Sequence, residues 1–235
     1  MRNSARLIAA RELLLRLRED LTAAAHEFQW PRFEEFNWAR DYFDVIAQDN
    51  HNPALRVVSG GGAEESLTFA QLARRSSQVA SFLAAQGVGP GDRILIMLAN
   101  VVPLWETMLA AMKLGAVIIP ATTLLERTEL ADRLERGRVR VVVTTARLAE
   151  RFAGLGAASI RIAVGGPAAG WLSYSTARWR LSTSASSAPS WFTPMGASSL
   201  PGPCATSRRR SGLTIATVSS RRALARRRFP SRCSR

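Results

Sequence analysis

No acidic residue follows Glu150, although 85 residues remain in the 235-residue chain. All 18 acids lie between Glu12 and Glu150, and residues 1–150 also hold 18 Arg and Lys, so this part is formally neutral. The net charge of +14 therefore belongs to the remainder, which carries 14 Arg. Two charge regimes in one chain imply two kinds of segment. Lysine is almost absent: Lys113 stands alone. The two cysteines, Cys204 and Cys233, form neither a CxxC pair nor a structural zinc spacing, which leaves a reduced, cytoplasmic setting as the expectation. His26 and His51 are far apart and without clustered carboxylates or thiols, so surface or capping roles are expected and metal ligation is not. No apolar run approaches the ~20 residues that span a bilayer. Glu12, Glu19 and Asp20 interrupt the Arg-rich start and no apolar signal core follows, which argues against a transit or secretory peptide.

What is present is periodic. Leu7, Ala10, Leu14, Leu17, Leu21 and Ala24 recur at three- and four-residue spacing and predict an amphipathic helix that docks on the domain behind it, with Glu12 and Arg16 as an i,i+4 pair. The alternative, membrane binding, is disfavoured by a polar face of mixed sign. Residues 54–59 and 66–69 read as strands joined through Gly60, Gly61 and Gly62. Thr68 and Gln71 form a capping-box pattern ahead of a helix striped by Leu72, Val79, Phe82 and Leu83, with Gly87 as its C-terminal cap. The turn Gly89-Pro90-Gly91-Asp92 feeds a strand at 94–98.

From there strands and helices alternate. A helix opens at Asn100 and Pro103, runs through Leu114 and closes on Gly115; a strand at 116–119, a helix at 128–136, a strand at 139–144, a helix at 146–153 and a strand at 160–164 follow. Alternation of this kind predicts βαβ crossovers, and the runs 94–98 and 141–143 are apolar on both faces, as strands covered by helices on two sides require. The fold class is therefore α/β: an incomplete, mostly parallel sheet with flanking helices. The expected organisation is an amphipathic helical region over 1–35, a partial domain over 36–175, and an Arg/Ser-rich tail over 176–235. Residues 171–235 hold 15 Ser and no acid, with Arg in clusters and no sustained periodicity, so disorder is the expectation there.

The stretch Phe36-Asn37-Trp38-Ala39-Arg40-Asp41-Tyr42-Phe43 resembles the entry of the medium-chain acyl-CoA synthetases, members of the AMP-forming, adenylating superfamily. Leu67-Thr68-Phe69, Gly87-Val88-Gly89-Pro90-Gly91-Asp92-Arg93-Ile94, the junction 112–120 beginning Met112-Lys113-Leu114-Gly115, Glu129-Leu130-Ala131-Asp132-Arg133-Leu134 and Gly170-Trp171-Leu172 are similar to successive landmarks of that family. The resemblance implies a partial AMP-binding domain and, for the intact family, a carboxylic acid, ATP, Mg2+ and CoA, joined through an acyl-adenylate. It also implies a Ser/Thr/Gly-rich phosphate loop ending in Pro-x-Lys just after this segment, and a second lysine on a later domain. Neither maps onto this chain. The stretch Thr206-Ser207-Arg208-Arg209-Arg210-Ser211-Gly212-Leu213-Thr214 comes nearest, without the Pro-x-Lys ending.

Lys113, beside the helix-closing Gly115, reads as a solvated C-terminal helix residue favoured by the macrodipole. No catalytic residue is assigned, no cofactor- or metal-binding residue is assigned, and no cofactor is expected for this chain alone. Gly87-x-Gly89 and Gly154-x-Gly156 do not complete a dinucleotide fingerprint, because Asp92 and Ser159 stand where its third glycine belongs. Three readings follow. In the first, a synthetase segment is succeeded by residues translated out of frame, which in GC-rich DNA yields mostly Arg, Ala, Ser, Pro and Gly. The basic tail, with Trp179 and Trp191 among its arginines, suits weak, nonspecific polyanion binding. The third is a noncanonical ligase or one completed by a partner chain; no specific partner is implied.

Overall fold

The computed structural model describes residues 3–156, 158–174 and 215–216. Its centre is a five-stranded, wholly parallel sheet in the order β4-β3-β5-β6-β7, built from β3 (Arg93–Met97), β4 (Val117–Pro120), β5 (Val141–Thr145), β6 (Ile160–Val164) and β7 (Leu172–Ser173). The central β3 and β5 are buried on both faces, which is why their sequences are continuous apolar runs rather than alternating ones. On one face α4 (Phe69–Ala85) and α5 (Val102–Leu114) cover Ile94, Ile96, Val141, Val143 and Ile162 with Val79, Leu83, Ala110 and Leu114. On the other, α6 (Arg127–Arg136) and a 3-10 turn (Ala146–Phe152) cover Leu95, Met97 and Val142 with Leu130, Leu134 and Phe152.

The local signals account for the element ends. Thr68 accepts from the Gln71 backbone N–H at 3.2 Å while the Gln71 side chain accepts from the Thr68 N–H at 2.9 Å, so the expected capping box opens α4. Gly115 closes α5 at φ 69°, a left-handed conformation that a Cβ disfavours. A separate small sheet pairs β1 (Pro53–Val58) antiparallel with β2 (Glu64–Thr68) across the glycine-rich loop and parallel with β8 (Ile215–Ala216). A third cluster, with Phe43, Leu55, Leu67, Leu72 and Leu109, seats this hairpin against α4 and α5.

Three expectations are corrected. The first periodic stretch is two helices, α1 (Asn3–Arg16) and α2 (Leu21–Glu27), because the Asp20 carboxylate accepts from the Ala23 N–H at 2.9 Å and starts a new helix there. No residue of either helix is buried, and Arg16 pairs with Glu27 at 3.2 Å rather than with Glu12. The segment Ala146–Phe152 winds as a 3-10 helix and not as the expected α-helix, an unusually long run for that geometry. Within the tail expected to lack structure, Ile215–Ala216 forms the strand β8; the rest of that expectation lies outside the described residues.

Candidate functional site

The strand order reverses between β3 and β5. From β3 the chain crosses to β4 on one side, and from β5 to β6 on the other. Such a switch opens a crevice at the carboxyl ends of the strands, the usual ligand position in open α/β sheets. Here the buried Thr144 hydroxyl donates to the Met97 carbonyl at 2.9 Å and stitches the two strands together at their ends. Asn100 Oδ1 accepts from the Trp105 indole N–H at 3.0 Å, holding the loop ahead of α5. Residues 98–101 and 144–146 contain no ionisable side chain. Among the described residues, these two loops therefore offer hydrogen bonds and shape but no acid or base.

The ionisable groups that are buried lie behind the crevice, between α4 and α5. Lys113 is not solvated: it is 4 % exposed. Its ammonium donates to Ser77 Oγ at 2.8 Å and to the Ala73 carbonyl at 3.1 Å, and it lies 2.7 Å from Asp44 Oδ1. Burial pushes the lysine pKa down, against the pull of Asp44, and burial pushes Asp44 up, against the pull of Lys113. Asp44 follows a π-helical turn (Trp38–Phe43) started by Asn37, whose Oδ1 accepts from the Ala39 and Arg40 N–H groups. The Asn37 amide in turn donates to the Met112 carbonyl at 2.7 Å. The entry motif is thus pinned to the C-terminal turn of α5 at Asn37 and at Asp44, and Lys113 serves that junction.

Two turns earlier on α5, Glu106 is wholly buried. Arg75 of α4 meets its Oε1 at 2.5 Å and the Tyr174 hydroxyl donates to its Oε2 at 2.5 Å. Burial raises the Glu106 pKa, while the Tyr174 hydrogen bond and Arg75 pull the other way. No aligned hydrogen bond reaches Glu106 Oε1 or Asp44 Oδ1, so the nearby cations alone compensate those two oxygens. Glu106, Arg75, Asp44 and Tyr174 were not singled out from the sequence. A signal existed: Glu106 and Lys113 are the only charges in α5 and stand seven residues apart, two turns along one helix face.

His26 and His51 are exposed, in α2 and before β1. Among the described residues no three His, Cys, Asp or Glu side chains group as metal ligands. The nearest approach to a phosphate loop, 206–214, and both cysteines lie outside the described residues.

A family model described as AMP-binding enzyme matches residues 43–195. The chain belongs to that family. It is similar to the mitochondrial acyl-coenzyme A synthetase ACSM5 of Rattus norvegicus, with 37% identity over 123 residues, covering 49% of this chain and 21% of the relative. The human ACSM5 protein is 36% identical over 125 residues, covering 50% and 22%. Among solved structures, a candidate long-chain-fatty-acid CoA ligase of Rhodopseudomonas palustris superposes with a TM-score of 0.54 at 25% identity, covering 64% of this chain and 37% of the other. The chain spans about a fifth of the length of the curated relatives it matches. No described helix is long and apolar enough to cross a membrane. What this AMP-binding family member possesses is an acyl-CoA synthetase-like α/β unit with a strand-order switch between β3 and β5 and no catalytic constellation among its described residues.

Proposed function

We propose that this chain is the opening portion of an AMP-forming acyl-CoA synthetase and that, as 235 residues, it forms no acyl-adenylate. The observation that carries the reading is the placement of Lys113. Adenylation as the family resemblance implies it needs lysines at the phosphates and the carboxylate, and the one lysine here is enclosed between α4 and α5 by Asp44 and Ser77. In-line displacement on an α-phosphate also requires fixed donors for the developing oxyanions, and losing one such donor costs on the order of 100- to 1,000-fold. The crevice side chains Asn100 and Thr144 already hold Trp105 and Met97. Magnesium would need acids in the later part of the chain, and none follows Glu150. The out-of-frame continuation is read as the segment beyond the family match at residue 195, past the expected domain limit at 175/176, with the other limit at 35/36 and a cytoplasmic location.

The test is ATP–pyrophosphate exchange with a panel of short- and medium-chain acids. No acid-dependent exchange above the enzyme-free control is the expected result, and exchange appears once the presumed frame and the missing portion are restored. Acid-dependent exchange by the chain as it stands would overturn the reading. A second role rests on composition: twelve Arg after Tyr174, without one acid, supply charge for weak polyanion binding without sequence preference.

A further inference from the structure

The last strand of the parallel sheet is too short to hold itself. β7 has two residues, Leu172 and Ser173, both exposed, and among the described residues it pairs only with Ile162 and Ala163 of β6. A strand of that length at a sheet edge contributes few ladder hydrogen bonds and little buried surface, the profile of a segment that opens locally. Its flanks are different. Trp171 reaches the cluster on one face of the sheet, edge-on to Phe152 with ring centres 5.7 Å apart. Tyr174 reaches the cluster on the opposite face, while its backbone N–H donates to the Ala163 carbonyl at 2.7 Å. The Tyr174 side ends on the Glu106 carboxylate, which Arg75 holds from α4, while on the Trp171 side the Arg161 guanidinium lies 5.9 Å from the ring centre.

We propose that Tyr174 and Glu106 form a latch that fixes where the chain leaves the parallel sheet. Tyr174 and Trp171 straddle the sheet edge, and the phenol–carboxylate bond couples that edge to α5, and through Arg75 to α4. Arg75 orients the carboxylate, with Glu65 a further 3.8 Å from the guanidinium. The phenol stays protonated because burial and then the Glu106 charge push its pKa far upward, so the donor persists wherever the fold does. A hydrogen bond to a charged acceptor in a partly buried site holds a local opening equilibrium down by on the order of 10-fold or more. Resting on the reading above, the latch would set the starting point of whatever phosphate-binding segment a complete synthetase carries after it.

Amide hydrogen exchange on the full chain tests the latch without any activity. Tyr174→Phe, which removes the hydroxyl alone, is expected to speed exchange at residues 172–174 by roughly 10-fold or more while β3 and β5 keep wild-type rates. Glu106→Gln is expected to open the same residues, and the double variant by less than the two singles combined, because the Tyr174–Glu106 bond is common to both. Unchanged exchange at 172–174, or an increase spread equally over all strands, would overturn the proposal. A second readout needs no folded latch variant. In a Tyr42→Phe background Tyr174 is the sole tyrosine, and its tyrosinate absorbance should appear only as the fold opens in alkali. Ionisation in the ordinary phenol range with the fold intact would refute the buried bond. Absent ATP–pyrophosphate exchange by a rejoined synthetase would count against the functional reading and leave these two results standing.

Discussion

Replacing Lys113 with Met keeps an unbranched stem of similar volume and removes only the ammonium, so the cost reports on the charge and its bonds. Three partners lose a cation: Asp44, Ser77 and the Ala73 carbonyl. Ser77 and Ala73 keep each other, since the Ser77 hydroxyl already donates to that carbonyl at 2.9 Å. Asp44 keeps only the weaker pull of Arg40. Stranding one partner of a buried pair costs about 3–5 kcal/mol. The Asp44 side chain is 33% exposed and can rehydrate in part, which brings the expectation to about 2–3 kcal/mol. With a urea m-value of about 2 kcal/mol/M, the midpoint should fall by roughly 1–1.5 M, read by tryptophan fluorescence. Adding Asp44→Asn should recover most of the loss, because replacing both charges removes the stranded one. A Lys113→Met midpoint within about 0.2 M of wild type would mean that the ammonium is in water after all. A double variant no better than the single would place the cost elsewhere than on Asp44.

Glu106, with its pKa raised by burial, contributes stability that is present below the ordinary carboxylate range and lost as pH rises through its folded value. Wild type should therefore lose stability relative to Glu106→Gln as pH rises from 4 toward 7, and parallel urea titrations with no pH-dependent gap would refute the burial argument. Gly115→Ala should cost about 1–2 kcal/mol through its left-handed backbone alone, since the new Cβ would meet Pro90 at an ordinary 3.5 Å. A thermal melt matching wild type would show that the turn relaxes. Heparin or oligonucleotide binding should weaken steeply with salt and vanish on removal of 176–235; binding that persists at high salt, with preference for one sequence, would favour an evolved recognition role.

The alternation of elements was legible because it rests on local signals. Thr68 and Gln71 announce α4, Gly115 ends α5, and the two apolar runs could only be strands covered twice. The helix break at Asp20 was hidden because the spacing of Leu17, Leu21 and Ala24 continues the helical period across it, and a cap competes with periodicity only through a short-range bond. Lys113 was misread for a similar reason. A lysine near a helix C-terminus is ordinarily solvated, and nothing local announces that Asp44, far away in sequence, folds over it. The buried Glu106 and its half-buried partners Arg75 and Tyr174 come from α5, α4 and the residue after β7, so their meeting is a property of the crossovers rather than of any window of sequence.

The order β4-β3-β5 has a consequence for synthesis. β3 first acquires β4 as a neighbour, and its other edge waits for β5, whose Val141 lies 44 residues after Met97. At about 5–20 residues per second a ribosome needs roughly 2–9 s to deliver that stretch. During this interval Arg93–Met97, with four fully apolar residues in a row, has one edge unpaired, with α5 and β4 already made and α6 still emerging. The sheet is therefore extended from its β4–β3 end toward β7 on a timetable set by translation, and slowing elongation between Gly115 and Arg140 would lengthen the period in which a nascent chain can be captured by a chaperone or by another chain's strand.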